Sequence, residues 1–260
     1  MSNQKPSVQD SLGDRMKSYE DCYRFSLTPR TPIIVRVDGR AFHTFTKGLD
    51  KPYDMDLISF MIWSAKFVAQ QMSGFKMAYV QSDEASFVLS DYDDINTQGW
   101  FDYNKSKIET ISASAMTAHF NWEVKSSDRQ DKFGKKQLAM FDARAYNIPE
   151  NEISNYFLWR QKDWERNSLS MLARAYFSAK ELHGKNRTNM HDMLHTKGVN
   201  WATFDSKVKN GTYLDNKMNE ITDIAPNYSQ IEQLRVKCFT KETVEAVATV
   251  EKSQEASEKK

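Results

Sequence analysis

Ile33-Ile34-Val35-Arg36-Val37-Asp38-Gly39-Arg40 is an apolar run that ends on an acid and a glycine. β-Branched residues dominate Ile33–Val37, which reads as a buried strand. Gly39, directly after Asp38, allows a tight turn or the close approach of a ligand to the backbone. A second acidic turn, Gln81-Ser82-Asp83-Glu84, joins two further strand candidates, Met77–Val80 and Ala85–Leu89. Between the two acidic turns, Ile58, Met61/Ile62, Ala65, Val68/Ala69 and Met72 recur at helical spacing. Asp54 or Asp56 suits the first turn of that helix electrostatically, and Gly74 is a fitting stop. The order strand–helix–strand–turn–strand brings Asp38 close to the hairpin turn if the strands share one sheet. Two carboxylates on neighbouring strand ends are the ligand set of a magnesium-dependent phosphoryl or nucleotidyl transferase. Magnesium takes hard oxygen ligands and stays coordinated to substrate phosphates. A paired-metal site activates an attacking oxygen and stabilises a leaving one.

The rest of the chain sets bounds on this reading. With 260 residues, 40% hydrophobic and 27% charged, it has the composition of a folded protein with a substantial core. The net charge of +1 excludes a global basic field but not a local basic face. Cys22 and Cys238 form no close pair, so neither a zinc site nor a disulfide scaffold is expected, in keeping with a reducing, cytoplasmic setting. The opening MSNQKPSVQDSLGDRMKSYE lacks the apolar core of a secretion signal, and no later run is long enough to span a membrane.

A short helix is expected over Leu12–Tyr23 and a longer one over Asn104–Trp122, with Ile108, Ile111, Ala115, Ala118 and Trp122 on one side. Lys105 and Lys107 near its start oppose the helix dipole, a conflict that a bound triphosphate would resolve. Ser126–Lys136 reads as a loop and Leu138–Tyr146 as a strand. After Pro149 a long helical region follows, with Ile153, Phe157, Trp164, Leu172 and Tyr176 apolar and a break expected around Arg166–Ser168. His183–Gly211 reads as a helical or mixed appendage, and 251–260 as a disordered tail. Lys180, Lys185, Arg187, His191, His195 and Lys197 form a cationic segment, either an RNA-binding face or a solvated lobe. His191 and His195 share helical spacing but lack a convincing third zinc ligand. The expected division is 1–148, 149–250 and the tail.

Several ordered motifs, Arg36–His43, Lys51-Pro52, Ser82–Phe87, Trp100-Phe101 with Ser106-Lys107, Phe141–Arg144 and Trp159–Asp163, carry a resemblance. Over roughly residues 10 through 205 the chain resembles the tRNA-His guanylyltransferase superfamily, especially its bacterial and archaeal guanylyltransferase-like branch. The resemblance implies an α/β (α+β) fold: a palm-like polymerase domain with an antiparallel sheet flanked by helices, plus a helical appendage. It implies nucleotide addition in the 3′–5′ direction to the 5′ end of truncated tRNA. Asp38, Asp83 and Glu84 match the catalytic acids. Asp38, Asp83 and the Gly39 carbonyl match the ligands of two Mg2+ ions. Arg40, Ala41, Phe42 and His43 match the segment near the nucleotide, and Lys51, Ser82, Asn104 and Lys107 match positions around the triphosphates. Asn104 departs from a frequent Arg. Dedicated guanylyltransferases commonly carry His-Ile-Asn-Asn-Leu-Tyr-Asn where this chain has Glu165-Arg166-Asn167-Ser168-Leu169-Ser170-Met171, which favours the template-dependent repair branch.

The implied reaction activates a 5′-monophosphate with ATP, releasing pyrophosphate; the 3′-OH of an incoming nucleotide such as GTP then displaces AMP. The implied partners are tRNA, nucleoside triphosphates and three further copies of the chain in a homotetramer. His43 reads as a phosphate or nucleotide contact or as a member of a buried network, and not as a general base. Glu84 reads equally as a salt-bridge residue, and Arg144 as structural. Trp159, Arg160, Gln161 and Lys162 are candidates for gripping RNA, although periodicity alone puts Trp159 and Trp164 in the core or an interface. The alternatives are a dedicated tRNA-His guanylyltransferase, a palm-type nucleotidyl cyclase and a non-catalytic RNA-binding or assembly protein.

Overall fold

Ile33–Gly39 forms an inner strand of a six-stranded antiparallel sheet in a computed structural model describing residues 11–129, 131–133 and 138–240. In chain order the elements are α1 (Leu12–Asp21), β1 (Ile33–Gly39), α2 (Phe42–Phe45), α3 (Met55–Gln71), β2 (Phe75–Gln81) and β3 (Glu84–Leu89). They continue with α4 (Lys105–Ser126), β4 (Phe141–Asn147), α5 (Ile153–Tyr176), α6 (Ala179–Leu182) and α7 (Arg187–Thr196). The last are α8 (Ser206–Asn210), β5 (Thr212–Leu214), β6 (Glu220–Ile221) and α9 (Tyr228–Phe239). The strand order is β4-β1-β3-β2-β5-β6, so the sheet draws strands from both sides of position 148. The expected tail at 251–260 lies outside the described residues.

Strand alternation sorts β1 between two cores. Ile33, Val35 and Val37 pack with α3 and α4, through residues such as Met61, Ala65, Met116 and Phe120. Ile34 faces the other way, with Met77, Tyr79 and Val88, into the N-terminal half of α5 and into α9. Full burial of an aliphatic side chain of this size contributes about 1.5–3 kcal/mol. A third, smaller cluster joins the C-terminal half of α5 (Leu169, Leu172, Ala173) to Leu194 of α7 and to Trp201. By contrast, α1 buries no side chain, and Leu12, Met16 and Tyr19 along it are exposed.

Two helix readings change. The buried face of α4 is Ile108, Ser112, Met116, Phe120 and Val124, whereas Ile111 and Trp122 are exposed. Apolar residues occur all around this helix, so large side chains drew the expected stripe off the true face. Ser112 sits on the buried face because its hydroxyl donates to the Ile108 carbonyl at 2.6 Å. The break expected in α5 at Arg166–Ser168 does not occur; the helix runs unbroken to Tyr176. Ser168 is buried there, its hydroxyl accepting from Trp201 Nε1 at 2.9 Å and its carbonyl from the Tyr53 hydroxyl at 2.8 Å. Tertiary contacts therefore use the polar run as helix surface.

Candidate active site

The β1–β3 register sets Asp38 opposite Glu84, and the β1–β4 register sets Asp38 opposite Asp142. Where β1 ends, the Gly39 N–H donates to the Asp83 carbonyl at 2.9 Å. One main-chain bond therefore ties the acid-bearing strand end to the acid-bearing hairpin turn. Ser82 takes the left-handed conformation in that turn (φ 49°), and its hydroxyl donates to the Asp83 carboxylate at 2.8 Å. Burial pushes the Asp83 carboxyl above the ordinary carboxylate range, and the nearby Asp38 and Glu84 charges push the same way against the Ser82 bond.

Glu84 is 3% exposed and its carboxylate is fully engaged. Arg160 of α5 grips it in a two-point fork, Nε at 2.7 Å and Nη2 at 2.5 Å, and Arg36 adds a contact at 2.8 Å. Arg36 also reaches Asp38 at 3.1 Å, so a chain of ion pairs runs from α5 through Glu84 to Asp38. The RNA grip expected of Arg160 and Gln161 gives way here, because both are buried and committed inside the protein. Gln161 donates to the Ile224 carbonyl at 2.5 Å and accepts from the Tyr213 hydroxyl at 3.0 Å. Trp159 is 54% exposed and stacks on Arg160, while Trp164 is buried.

A cleft of about 690 Å3 opens beside these turns, with Gly39, Ser82 and Asp83 in its wall. Lys51 and Arg174 supply cationic groups to its lining, His43 supplies an imidazole, and Asp50 and Asp54 supply acids. Gly39 is required by close approach: a Cβ there would lie 2.3 Å from Cδ2 of Phe42. The Phe42 ring cannot withdraw, being packed against Phe45, Phe120 and Phe141 at centroid distances of 5.0–5.6 Å. Phe42 therefore belongs to the core as well as to the cleft. Ala41 lines the cleft in the left-handed conformation (φ 55°). Arg40 is exposed, and its N–H donates to the Met140 carbonyl at 2.8 Å. Arg144 lies on the surface, 3.8 Å from Asp142.

Asn104 and Lys107 are not brought to this cleft. α4 runs along β4 so that Thr117 meets Phe141, opposite Gly39, while Glu109 meets Ala145. The start of α4 consequently lies towards the Ile33 end of β1, away from Asp38. Asn104 is buried there as the helix cap, its Oδ1 accepting from the Lys107 N–H at 3.1 Å. Lys105 meets Glu109 at 2.5 Å, which settles its position at the helix start without a phosphate.

Sequence reasoning passed over Arg129 and Arg174. Arg129, inside the segment read as a loop, binds Asp50 at 2.7 Å and Asp54 at 2.8 Å and also pairs with Asp56. It thereby fixes the rim of the cleft, where Asp54 caps α3 by accepting from the Asp56 and Leu57 N–H groups. Three acids within seven residues were the only local signal, and they do not name their partner. Arg174 reaches the cleft only because α5 is continuous.

Among the described residues no group of three or more His, Cys, Asp or Glu side chains is placed to hold a metal. Asp38, Asp83 and the Gly39 carbonyl offer hard oxygens beside a cleft with cationic groups in its lining. That donor set fits magnesium, which completes its shell with water and substrate phosphates.

Comparison with known proteins agrees with this architecture. Residues 13–149 match the tRNAHis guanylyltransferase (Thg1) family. A bacterial tRNA(His) guanylyltransferase (Thg1)-like protein solved in complex with ATP superposes with a TM-score of 0.82 at 40% identity, over 88% of this chain and 100% of that one. A bacterial like-protein solved in complex with GTP gives 0.72 at 35% identity, over 89% and 100%. The tRNA(His) guanylyltransferase of Debaryomyces hansenii is 29% identical over 204 residues, 72% of this chain and 74% of its own length. With the family match covering more than half of the sequence, the chain belongs to the tRNAHis guanylyltransferase family and is a nucleotidyltransferase.

Proposed function

We propose that this protein repairs truncated tRNA by adding template-matched nucleotides in the 3′–5′ direction to the 5′ end. The observation that carries the proposal is the main-chain tie between Gly39 and Asp83, which holds two acidic turns together at the wall of one cleft. The bacterial like-proteins, solved with ATP and with GTP, support nucleoside triphosphates as substrates. The repair branch is favoured by the run Glu165–Met171, where dedicated guanylyltransferases commonly carry His-Ile-Asn-Asn-Leu-Tyr-Asn. Here Glu165 pairs with Arg187 and Ser168 with Trp201, so those positions serve packing instead.

In this mechanism Asp38, Asp83 and the Gly39 carbonyl would hold two magnesium ions. The chemistry magnesium supplies when bound is neutralisation of phosphate charge and a lower cost of forming the attacking oxyanion. Lys51 and Arg174 offset phosphate charge within the cleft, and His43 orients a phosphate or the nucleotide. Ser82 orients the Asp83 carboxylate through its hydroxyl. Glu84 acts as a positioning residue: buried against Arg160 and Arg36, it fixes the strand that presents Asp83. The 5′-phosphate of the RNA attacks the α-phosphorus of ATP and expels pyrophosphate. The 3′-OH of the next nucleotide then attacks the activated 5′-phosphorus and expels AMP.

The homotetramer and the cytoplasmic setting belong to the same proposal. Exposed apolar side chains on α1 (Leu12, Met16, Tyr19) and on the outer faces of α3 and α4 (Trp63, Phe67, Trp122) support self-association. No helix among the described residues is long and apolar enough to cross a membrane.

The test follows 5′-monophosphorylated tRNA-His and a non-His tRNA lacking its first nucleotide, each with ATP, all four NTPs and magnesium. Template-matched addition to the truncated non-His tRNA, absent with Asp83→Ala, is the expected result. Addition confined to tRNA-His regardless of pairing would overturn the repair reading in favour of a dedicated guanylyltransferase.

A further inference from the structure

Near-neutral total charge conceals a sharp division. The stretch from Arg166 through Lys209, covering the end of α5, α6, α7 and α8, holds 8 of the 36 Lys and Arg but only 3 of the 35 Asp and Glu. It is therefore +5, which leaves the remainder of the chain at −4, and it carries 3 of the 5 His as well. Composition alone does not make a surface, since some of these cations are spent internally. Arg187 pairs with Glu165, Arg166 with Asp163, Lys207 with Glu220, and Lys209 donates to the Ala202 carbonyl.

Lys180, Lys185 and Lys197 remain exposed and form no salt bridge among the described residues. Lys197 is braced over the Phe177 ring at 5.8 Å, and the start of α6 is held by a capping box between Ser178 and Glu181. The lysines are thus carried on an ordered corner, anchored by the cluster of Leu169, Leu172, Ala173, Leu194 and Trp201 with Leu182 packed against it. Position relative to the cleft is set by α5, whose Met171, Arg174 and Ala175 line the cleft. Lys180 follows Ala175 by five residues, a reach of at most about 18 Å even for extended chain. A cationic corner whose Lys180 lies within about 18 Å of the cleft wall suits a long polyanion with one end in the cleft.

We infer that the α6–α7 corner, through Lys180, Lys185 and Lys197, is a docking surface for the phosphate backbone of the RNA whose 5′ end occupies the cleft. The inference rests on the repair reading for the identity of the polyanion. Phosphate contacts of this kind set register and orientation without reading sequence. They give binding a steep salt dependence, about 0.9 in log–log slope for each duplex phosphate neutralised.

The experiment compares the wild type with Lys180→Ala/Lys185→Ala/Lys197→Ala and with a triple control of equal charge, Lys17→Ala/Lys125→Ala/Lys237→Ala. Affinity for a truncated, 5′-monophosphorylated tRNA is measured by fluorescence anisotropy from 50 to 300 mM KCl, alongside single-turnover nucleotide addition at saturating RNA. The corner variant is expected to lose at least about tenfold in affinity and up to about 3 in salt slope, while its saturated rate stays within about twofold. The control is expected to bind as the wild type does. Equal affinity and slope for the corner variant and the wild type would overturn the inference, as would equal losses in both triples. A wild type that fails to bind RNA would overturn it too. RNA binding that depends on the corner, with no nucleotide added, upholds the surface and overturns the repair reading instead.

Discussion

Replacing Arg160 with Met removes the fork that holds Glu84, and the structure allows the consequence to be sized. Both partners are about 5% exposed or less, and the fork comprises two charge-assisted bonds of 2.7 and 2.5 Å. Stripping one partner from a buried pair costs about 3–5 kcal/mol, because the other charge is stranded in a poor solvent. Arg36 keeps its 2.8 Å contact with Glu84, which argues for the lower end, about 3 kcal/mol. For a protein of this size that is a fall of roughly 6–12 °C in Tm. Removing both charges relieves the stranded carboxylate, so Arg160→Met/Glu84→Gln is expected to lie within about 1 kcal/mol of the wild type. The assay is urea unfolding followed by tryptophan fluorescence for the wild type, both singles and the double. A single-variant loss below about 1 kcal/mol, or a double-variant loss equal to the sum of the singles, would refute the reasoning. Nucleotide addition by the same proteins reports the role of Glu84. A positioning role returns the double variant to within about tenfold of the wild-type rate, whereas a direct role in the chemistry leaves it as inactive as Glu84→Gln.

Asp83→Asn is expected to lower single-turnover nucleotide addition by at least about a thousandfold while leaving Tm equal or slightly raised, since it removes a half-buried charge set near Asp38 and Glu84; a large drop in Tm would contradict this account. Gly39→Ala forces a Cβ into the immobile Phe42 ring, with an expected cost of about 1–3 kcal/mol in urea unfolding together with a loss of activity; wild-type stability would show that the aromatic cluster yields. Arg129→Ala unties Asp50, Asp54 and Asp56 from one another and is expected to raise KM for the nucleotide several-fold with a smaller effect on kcat, measured by initial rates. The hydrogen bonds from Arg235 hold the Glu232 carboxyl below its ordinary range, so its stabilising contribution is complete above about pH 4.5 and fades as pH falls towards the folded value. Glu232→Gln should therefore narrow the difference in urea midpoint between pH 7 and pH 3.5, and an unchanged difference would count against the assignment.

The fold was legible where periodicity and burial coincide. Ile33–Val37, the hairpin around Ser82-Asp83 and the helix over Asp54–Met72 all combine a clean apolar repeat with a turn or cap residue, and each occurs within a residue or two of its expected place. Legibility failed where tertiary contacts decide. In α4 the buried side includes Ser112, a residue no hydropathy pattern selects, and the exposed side includes Trp122. In α5 the polar run Arg166–Ser168 is held helical by Trp201 and Tyr53, partners separated from it by more than thirty residues in sequence. The three consecutive left-handed residues Phe101, Asp102 and Tyr103 ahead of α4 carried no glycine to announce them. Within the candidate site, the juxtaposition of the turns bearing Asp38 and Asp83 was readable from strand order. The Arg160–Glu84–Arg36 chain was not, because an ion pair across 76 positions leaves no local trace.

The register that sets Asp38 opposite Glu84 has a consequence for how this chain can change length. Successive strand residues point to opposite faces, so one residue added or lost between Ile33 and Asp38 would turn Asp38 from the α5 side to the α3 side. The same event in the exposed stretch Asp94–Gln98, between β3 and α4, would be taken up by surface loop. A scan of single-residue deletions should therefore find two narrow intolerant windows, one in β1 and one across the β2–β3 turn. Substitutions around them would be tolerated far better than any shift in frame along the strand.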